Sequence, residues 1–213
     1  NLRNHDRSET FGMLGRVDGN VLRSDIEEAV GKVGLDMKID LLINNRREII
    51  GVFPGEFVAQ HRAGVKKARE VYRTPCPKNL DIVVSNTYPI ENQATKGVWP
   101  ARVSLKEGGV AVIVTQTIEG QALHYLTGRF GTDYGGKLWN PTKAGVTNAS
   151  KVIVCSEYLS RIDLDRFGSD DKVVGCATWD DVLRELKQDY PDNATVGVFP
   201  CAAIQCPEDA LAL

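Results

Sequence analysis

Apolar and polar positions follow first a helical period and then a strand period along the N-terminal third of the chain. Residues 21–34 place apolar side chains at helical spacing, and Ser24 with Glu27 forms an S-x-x-E signature that predicts a capping box there. Two β-rich runs, residues 37–43 and 48–53, flank a polar turn of two asparagines and two arginines. This arrangement predicts a β-hairpin after the first helix.

The pattern changes at a linker bracketed by Pro75 and Pro77. Before it, residues 57–71 repeat apolar side chains close to a period of 3.6 and predict a second helix with a basic outer face. The apolar runs beyond it that suit strands buried on both faces of a parallel sheet are Ile82–Val84, Val110–Val114, Val152–Val154, Val173–Cys176 and Val196–Phe199. The helix candidates between them are residues 91–105, a stretch after Ile118, residues 158–166 and residues 180–190.

This alternation predicts the fold class, an α/β domain with three layers built on a doubly wound and mostly parallel sheet. The expected parts are an interdomain connecting segment (residues 1–20), a linking region of helix, β-hairpin and helix (21–75), and a C-terminal α/β domain (76–213). The chain begins at Asn1, in a segment unlike a signal or transit peptide. We interpret that start as a cut within a longer protein, with processing of a native chain as the alternative.

Composition narrows the classes of partner. The chain has 213 residues, with 26 Lys and Arg against 28 Asp and Glu, and a formal net charge of -2. That balance argues against nucleic-acid binding by bulk charge, and the lack of an apolar run of about 20 residues argues against a membrane span. Cys201 and Cys206 lack the spacing and the neighbouring histidine of a zinc site. A reducing cytoplasm is the expected location, with a Cys201–Cys206 disulfide as the open alternative.

Polar residues at the ends of two predicted strands are the candidates for chemistry, since such sheets bind ligands outside the carboxyl ends of their strands. After the first strand, Gln93 and Lys96 lie three residues apart at the start of a predicted helix, where an amide and an ammonium can hold a carboxylate or phosphate. After the second strand, His124 and Arg129 can form an anion pocket. From spacing alone, a solvated helix face and a packed histidine with a surface arginine remain the alternatives.

The two remaining histidines give no signal of their own. His61 lies on or near the apolar face of the second predicted helix, as a packed structural histidine does. His5 lies in a polar terminal segment, as an exposed histidine does. The glycine runs match neither nucleotide-binding fingerprint, and the chain has no G-x-S-x-G segment. The residues by themselves therefore indicate an α/β domain with a strand end whose residue types are compatible with anion binding, and no particular reaction.

Two segments carry a likeness to a known family, GNVLRSDIEEAVGKVGLDMKIDLLINNRREIIGVFPGEFVAQHRAGV and LDIVVSNTYPIENQATKG. They resemble the C-terminal half of the lactate racemase family, whose members are nickel-pincer-nucleotide enzymes that invert 2-hydroxy acids. The likeness covers roughly the first half of the chain and thins after Gly131. It implies a longer protein of two α/β domains with the cofactor in the cleft between them, so that the N-terminal domain of the same protein is the partner of this chain.

The resemblance also assigns roles to residues. Asn4-His5 matches the family's nickel-ligating histidine motif, which makes His5 the expected metal ligand. The Q-x-x-K segment makes Gln93 and Lys96 the expected substrate-binding residues. The covalent lysine, the paired histidine bases and the substrate-orienting arginine of the family are expected before Asn1, which leaves no catalytic residue to assign here. The implied reaction is proton-coupled hydride transfer to and from the cofactor.

The segment HYLTGRFGTDYGGKLW departs from the lactate enzymes and leaves the substrate open. Tyr88, His124, Arg129 and Trp139 are therefore candidate pocket residues for a small 2-hydroxy acid that the sequence does not define. We expect the isolated fragment to be inactive, because the catalytic bases are missing from it. The alternatives are a non-catalytic ligand-binding or regulatory module on the same scaffold, and an unrelated α/β enzyme that binds anions or nucleotides.

Overall fold

The computed structural model of the protein describes three stretches of the chain, residues 15–122, 146–168 and 171–208. Of these, residues 15–75 and 205–208 form a first unit, and the other described residues form a second. Residues 205–208 therefore return to the first unit, whereas the sequence pattern assigned them to a C-terminal domain of residues 76–213.

The first helix, α1, spans Val21–Val33 and begins earlier than its predicted capping box. Its cap is Asn20, whose side-chain oxygen accepts hydrogen bonds from two backbone N–H groups of the first turn, both at 3.1 Å. Ser24 lies inside the helix, so the predicted capping box of Ser24 and Glu27 is wrong. Asparagine caps a helix as well as serine does, and the earlier residue of the two starts this one. Gly34, with φ 84°, ends the helix as expected.

The predicted hairpin is confirmed. Strands β1, Lys38–Ile43, and β2, Ile49–Gly55, pair in antiparallel fashion, and helix α2, Ala59–Tyr72, packs against both. The chain then enters the two-residue strand β3, Arg73–Thr74, which pairs in parallel with β9, Cys206–Pro207. This pairing brings the end of the described chain back to the first unit.

The second unit is built on a five-stranded parallel sheet, and each of the five predicted apolar runs lies in one of its strands. In chain order the strands are β4, Leu80–Asn86; β5, Leu105–Val114; β6, Ala149–Cys155; β7, Val173–Cys176; and β8, Val196–Phe199. Their order across the sheet is β7-β6-β5-β4-β8. The chain winds outward from β4 in one direction and then returns to pair β8 with its other side, which is the doubly wound arrangement.

Two short helices cover one face of this sheet. Helix α3 spans Trp99–Ser104 and contacts β4 and β5. Its Trp99 indole lies edge-on to the ring of Phe199, with the ring centroids 5.8 Å apart. Helix α4 spans Arg161–Leu164 and contacts β7. Both helices are shorter than the sequence predicted.

Helix α5, Trp179–Asp189, covers the opposite face of the sheet. Val182 and Leu186 are its buried residues, and they join a core cluster drawn from strands β4 to β7. Thr178 and Asp181 form a capping box at its start. With helices on both faces of a parallel sheet, the predicted three-layer α/β fold is confirmed.

The structure also bears on a membrane span, on the Cys201–Cys206 disulfide and on the helix expected after Ile118. No helix within the described ranges is long and apolar enough to cross a membrane. The five cysteines are thiols, so the described chain holds no Cys201–Cys206 disulfide. The described residues from Ile118 to Ala122 form a turn and a bend, and the rest of the helix predicted after Ile118 falls outside the described residues.

Candidate functional site

The connection between β4 and α3 carries the substrate residues that the sequence predicts. It leaves the carboxyl end of β4 with the half-buried Tyr88 and continues as a 3-10 segment, Glu91–Gly97. The side chains of Gln93 and Lys96 are exposed on this segment. The strands of a parallel sheet all end at one edge, and doubly wound folds bind ligands outside it. The structure thus places Tyr88, Gln93 and Lys96 in one connection at that edge.

Gln93 and Lys96 do not share one face of a regular helix, as their spacing predicted. The backbone breaks at Gln93, where φ is −127° and ψ is 50°. The N–H of Gln93 donates to the Ile90 carbonyl at 3.1 Å, whereas the next N–H, that of Ala94, donates to the side chain of Gln121. A side chain from another loop therefore sets the conformation here, which is why local spacing did not predict it.

A buried amide holds both sides of this break. The Gln121 side chain belongs to a residue that is only 4% exposed. Its Oε1 accepts the hydrogen bond from Ala94 at 2.9 Å, and its Nε2 donates to the Glu91 carbonyl at 2.8 Å. The Thr115 hydroxyl donates to the same carbonyl at 2.7 Å and accepts from Nε2 at 3.3 Å. The amide thus donates to a residue that precedes Gln93 in the chain and accepts from the residue that follows it.

Asp163, at the end of the first turn of α4, fixes the position of Gln121 through a hydrogen bond. Its Oδ1 accepts a hydrogen bond from the Gln121 backbone N–H at 2.8 Å. Its Oδ2 accepts from both the backbone N–H and the hydroxyl of Ser160, each at 2.7 Å. Between them lies Gly120 with φ +70°, where a Cβ would lie 3.1 Å from either carboxylate oxygen. The loop after β5 is therefore closely fitted to α4.

Close packing fixes the end of the 3-10 segment. A Cβ on Gly97 would lie 2.9 Å from Cγ2 of Thr87. Thr87 is itself fully buried, and its N–H and hydroxyl both donate to the Val114 carbonyl, at 2.9 and 3.0 Å. The indole N–H of Trp99, just beyond the segment, donates to the Ala202 carbonyl at 2.8 Å. These contacts attach the segment to the strand ends of β4, β5 and β8.

The arrangement presents an ammonium and an amide on a constrained backbone. Among the described residues, neither the Gln93 nor the Lys96 side chain has a hydrogen-bond or ion-pair partner, while the backbone between them is held by buried groups. An ammonium binds a carboxylate through charge-assisted hydrogen bonds, and an amide both donates and accepts. The pair can therefore bind a small molecule that carries a carboxylate beside a hydroxyl or carbonyl group.

The remaining predicted site residues, His5, His124, Arg129 and Trp139, lie outside the described residues. Within the described stretches, no group of three or more His, Cys, Asp or Glu side chains could hold a metal ion. His61 is half-buried in α2, with its Nδ1 3.0 Å from a guanidinium nitrogen of Arg62. Burial, followed by the positive charge of Arg23 and Arg62, lowers the pKa of His61. This environment fits the structural role expected of it.

Sequence reasoning missed Gln121, Thr115 and Asp163. Two signals were available: polar residues directly follow a buried strand in VTQTIEGQ, and the S-x-x-D spacing of Ser160 and Asp163 is that of a capping box. Nothing in the sequence links Gln121 to Ala94, because the two lie 27 residues apart. Only the folded sheet brings their loops together.

Comparison with known proteins agrees with this fold. No protein-family model matches the chain. It is 29% identical over 111 residues to the lactate racemase of Lactiplantibacillus plantarum, a match that spans 50% of this chain and 26% of that protein. It is 25% identical over 115 residues to the lactate racemase of Thermoanaerobacterium thermosaccharolyticum, across 52% of this chain and 27% of that protein. The chain is lactate racemase-like over about half of its length. The resemblance found in the sequence is therefore confirmed.

Solved structures extend the likeness in fold. The lactate racemase apoprotein from T. thermosaccharolyticum superposes with a TM-score of 0.66 at 16% identity, covering 90% of this chain and 50% of that one. A Thermotoga maritima protein superposes with a TM-score of 0.56 at 12% identity, covering 91% of this chain and 55% of that one. At such identities the superpositions show the fold alone. The lactate racemase-like chain spans about half the length of the two solved structures, and its aligned segments span about a quarter of the curated relatives.

Proposed function

We propose that the chain is the C-terminal portion of a nickel-pincer-nucleotide-dependent racemase or epimerase of small 2-hydroxy acids, and that Gln93 and Lys96 bind the substrate. The observation that carries the proposal is the exposed placement of these two side chains on a constrained segment at the carboxyl edge of a lactate racemase-like sheet. The two curated relatives named lactate racemase support the class of reaction. The cytoplasm is the proposed location.

In this proposal, Lys96 binds the substrate carboxylate through charge-assisted hydrogen bonds. Gln93 donates from its amide nitrogen to the hydroxyl or carbonyl oxygen on Cα. Contacts to two different groups of a small acid fix its orientation during each hydrogen transfer. The constrained backbone between Gln93 and Lys96 keeps the two contacts at a fixed separation.

Inversion at Cα requires the hydroxyl proton and the Cα hydrogen to leave, and both to return with the hydrogen on the opposite face. The nickel-pincer nucleotide would supply hydride-accepting chemistry when bound. The residues of this chain do the positioning: Lys96 and Gln93 hold the acid during each hydrogen transfer. Between the two transfers the planar 2-oxo acid turns about the bond between its carboxylate carbon and Cα while Lys96 keeps the carboxylate bound, so that the hydrogen returns to the opposite face. Without these contacts, the reacting atoms would separate.

The proposed cofactor would be bound mainly by the N-terminal domain of the same protein. His5 would contribute a neutral imidazole nitrogen to nickel. The roles proposed for the described residues Gln93, Lys96 and Tyr88 are substrate contacts. Tyr88 would form one side of the substrate pocket, with His124, Arg129 and Trp139 as the other proposed lining residues.

The test uses the longest natural polypeptide that contains these residues, matured with its cofactor and assayed for exchange between the D and L forms of 2-hydroxy acids. Lys96→Ala and Gln93→Ala should each lower kcat/KM about 10- to 100-fold, the loss expected for hydrogen bonds that involve a charged or reacting group. Lys187→Ala and Gln188→Ala, on the exposed face of α5, are the matched controls. Unchanged activity in Lys96→Ala and Gln93→Ala, or no nickel in the matured protein, would contradict the proposal.

A second candidate function is a module that binds a 2-hydroxy acid without reacting it. It is supported by the same observation, since two exposed side chains on a constrained segment suffice to bind a small acid. Calorimetric titration of residues 1–213 with D- and L-lactate would report binding. Binding without exchange by this chain fits both candidates, and binding without exchange by the matured longer polypeptide would leave only the module.

A further inference from the structure

We propose that Gln121 is a positioning residue, which holds the Gln93–Lys96 segment in the conformation that binds substrate. The inference rests on the proposed function of Gln93 and Lys96 as substrate-binding residues. It assigns a role to a side chain that is buried beneath that segment and does not touch the substrate. The role depends on three hydrogen bonds that meet at one amide.

The first step of the argument is the break in the backbone at Gln93. Ala94 is fully buried, and its N–H donates to Oε1 of Gln121 rather than to a backbone carbonyl. Without that acceptor, the buried N–H would have no hydrogen-bond partner among the described residues, and leaving such a group unsatisfied is costly. The segment would then gain by closing into a regular turn, which would rotate Gln93 relative to Lys96. Gln121 therefore selects the broken conformation.

The second step is that the amide bridges the break rather than bonding to one side of it. Its Nε2 donates to the Glu91 carbonyl, two residues before Gln93, while Oε1 accepts from the residue that follows Gln93. A further hydrogen bond joins the same two loops, donated by the Ala122 N–H to the Asn92 carbonyl at 2.8 Å. The residues on both sides of Gln93 are thus fixed to the loop that follows β5.

The third step concerns what holds Gln121. Thr115 accepts from its Nε2, and Asp163 accepts from its backbone N–H. All three residues are at most 7% exposed. A polar network this deeply buried is favourable only when its members are satisfied, so the amide has one orientation and the segment has one conformation. An apolar residue of similar size would fill the space and lose this selection.

The test combines local and functional measurements on the longest natural polypeptide, matured with its cofactor. Gln121→Leu removes both ends of the amide, and Gln121→Glu keeps an acceptor for Ala94 but loses the donor to Glu91. Hydrogen exchange at the Ala94 amide should be about 10- to 100-fold faster in Gln121→Leu and less accelerated in Gln121→Glu, while exchange in β5 stays unchanged. Gln60→Leu, at an equally buried glutamine of α2, should leave exchange at Ala94 unchanged.

Activity then separates positioning from general stability. Gln121→Leu should lower kcat/KM about tenfold or more, Gln121→Glu should recover part of the loss, and Gln60→Leu should not change it. In a background that carries both Gln93→Ala and Lys96→Ala, Gln121→Leu should add little, because it acts through the segment that carries these two side chains. Fully additive effects, or unchanged exchange at Ala94 in Gln121→Leu, would overturn the inference. If Lys96→Ala itself has no effect, the proposed function fails, and exchange at Ala94 still tests how Gln121 holds the segment.

Discussion

The carboxylate of Asp163 accepts a hydrogen bond from the backbone N–H of Gln121 at 2.8 Å, although 42 residues separate the two. The same carboxylate completes the capping box of α4 through Ser160. One side chain therefore makes both a local helix cap and a hydrogen bond to a residue far away in sequence, and it links the position of α4 to the loop after β5. Through Gln121, that loop sets the shape of the segment that carries Gln93 and Lys96.

Removal of this carboxylate should lower stability substantially. Asp163→Ala leaves the N–H of the buried Gln121 without its partner and removes the carboxylate that accepts from both donors of Ser160. The free energy of unfolding should fall by about 3 kcal/mol, since an unsatisfied buried donor costs about 1–3 kcal/mol. Asp163→Asn keeps one acceptor and should lose about half as much. Urea unfolding measures both, with the exposed Asp192→Ala as the control. Equal stability of Asp163→Ala and Asp192→Ala would contradict the prediction.

The central strands were predictable from sequence because they are buried on both faces of the sheet. Runs such as Val110–Val114 and Val152–Val154 are apolar at successive positions, as strands covered on both faces must be, and both lie in the central sheet. The run in the outer strand β8 is a strand as predicted, but the expectation that it is buried on both faces is wrong, because Val196 and Val198 are 51% and 64% exposed.

The cap of α1 was predicted at the wrong residue because Asn20 and Ser24 are both good caps and the S-x-x-E motif favoured the later one. The break at Gln93 was not predicted, because it depends on a hydrogen bond to Gln121 in another loop.

The candidate site was predictable only in its residue types. An amide and an ammonium three residues apart indicate an anion site or a solvated helix face, and spacing does not separate the two. The resemblance to lactate racemases made Gln93 and Lys96 the expected substrate-binding residues. The structure added what neither source contained, namely that the segment is an interrupted 3-10 turn held by Gln121 and Thr115.

The cap of α1 can be tested by two substitutions in the same turn. Asn20→Ala removes the side-chain oxygen that accepts from two N–H groups and should destabilise the protein by about 1 kcal/mol. Ser24→Ala, inside the helix, should change stability by less than about 0.5 kcal/mol. Thermal unfolding and circular dichroism compare the two variants. A larger loss of stability in Ser24→Ala than in Asn20→Ala would contradict the Asn20 cap and support the predicted capping box of Ser24 and Glu27.

Two glycines should respond to alanine in opposite directions. Gly97→Ala would place a methyl group 2.9 Å from Cγ2 of Thr87 and 3.4 Å from Cβ of Ala202, and should cost about 1–3 kcal/mol through overpacking. Gly31→Ala, on the exposed side of α1, meets nothing closer than 4.0 Å and should stabilise the helix by about 0.5–1 kcal/mol. Thermal unfolding measures both shifts. A stabilised Gly97→Ala variant would show that the 3-10 segment has room to move.

Acid should weaken the contact between α1 and α2. A hydrogen bond from Arg62, assisted by Arg23, holds the pKa of Glu27 at about 2, below its ordinary value of 4.5. Because the folded pKa is the lower one, the ion pair stabilises the fold fully above about pH 4.5, and the stabilisation is lost as the pH falls towards 2. Glu27→Gln should therefore lower the free energy of unfolding by about 2 kcal/mol at pH 7 and by little near pH 2.

Glu28→Gln is the matched control, since Glu28 forms an exposed pair with Lys32 and such pairs contribute little. Urea unfolding at both pH values, with an NMR titration of the Glu27 carboxyl group, measures the effect, and a midpoint near 4.5 for that carboxyl would contradict it.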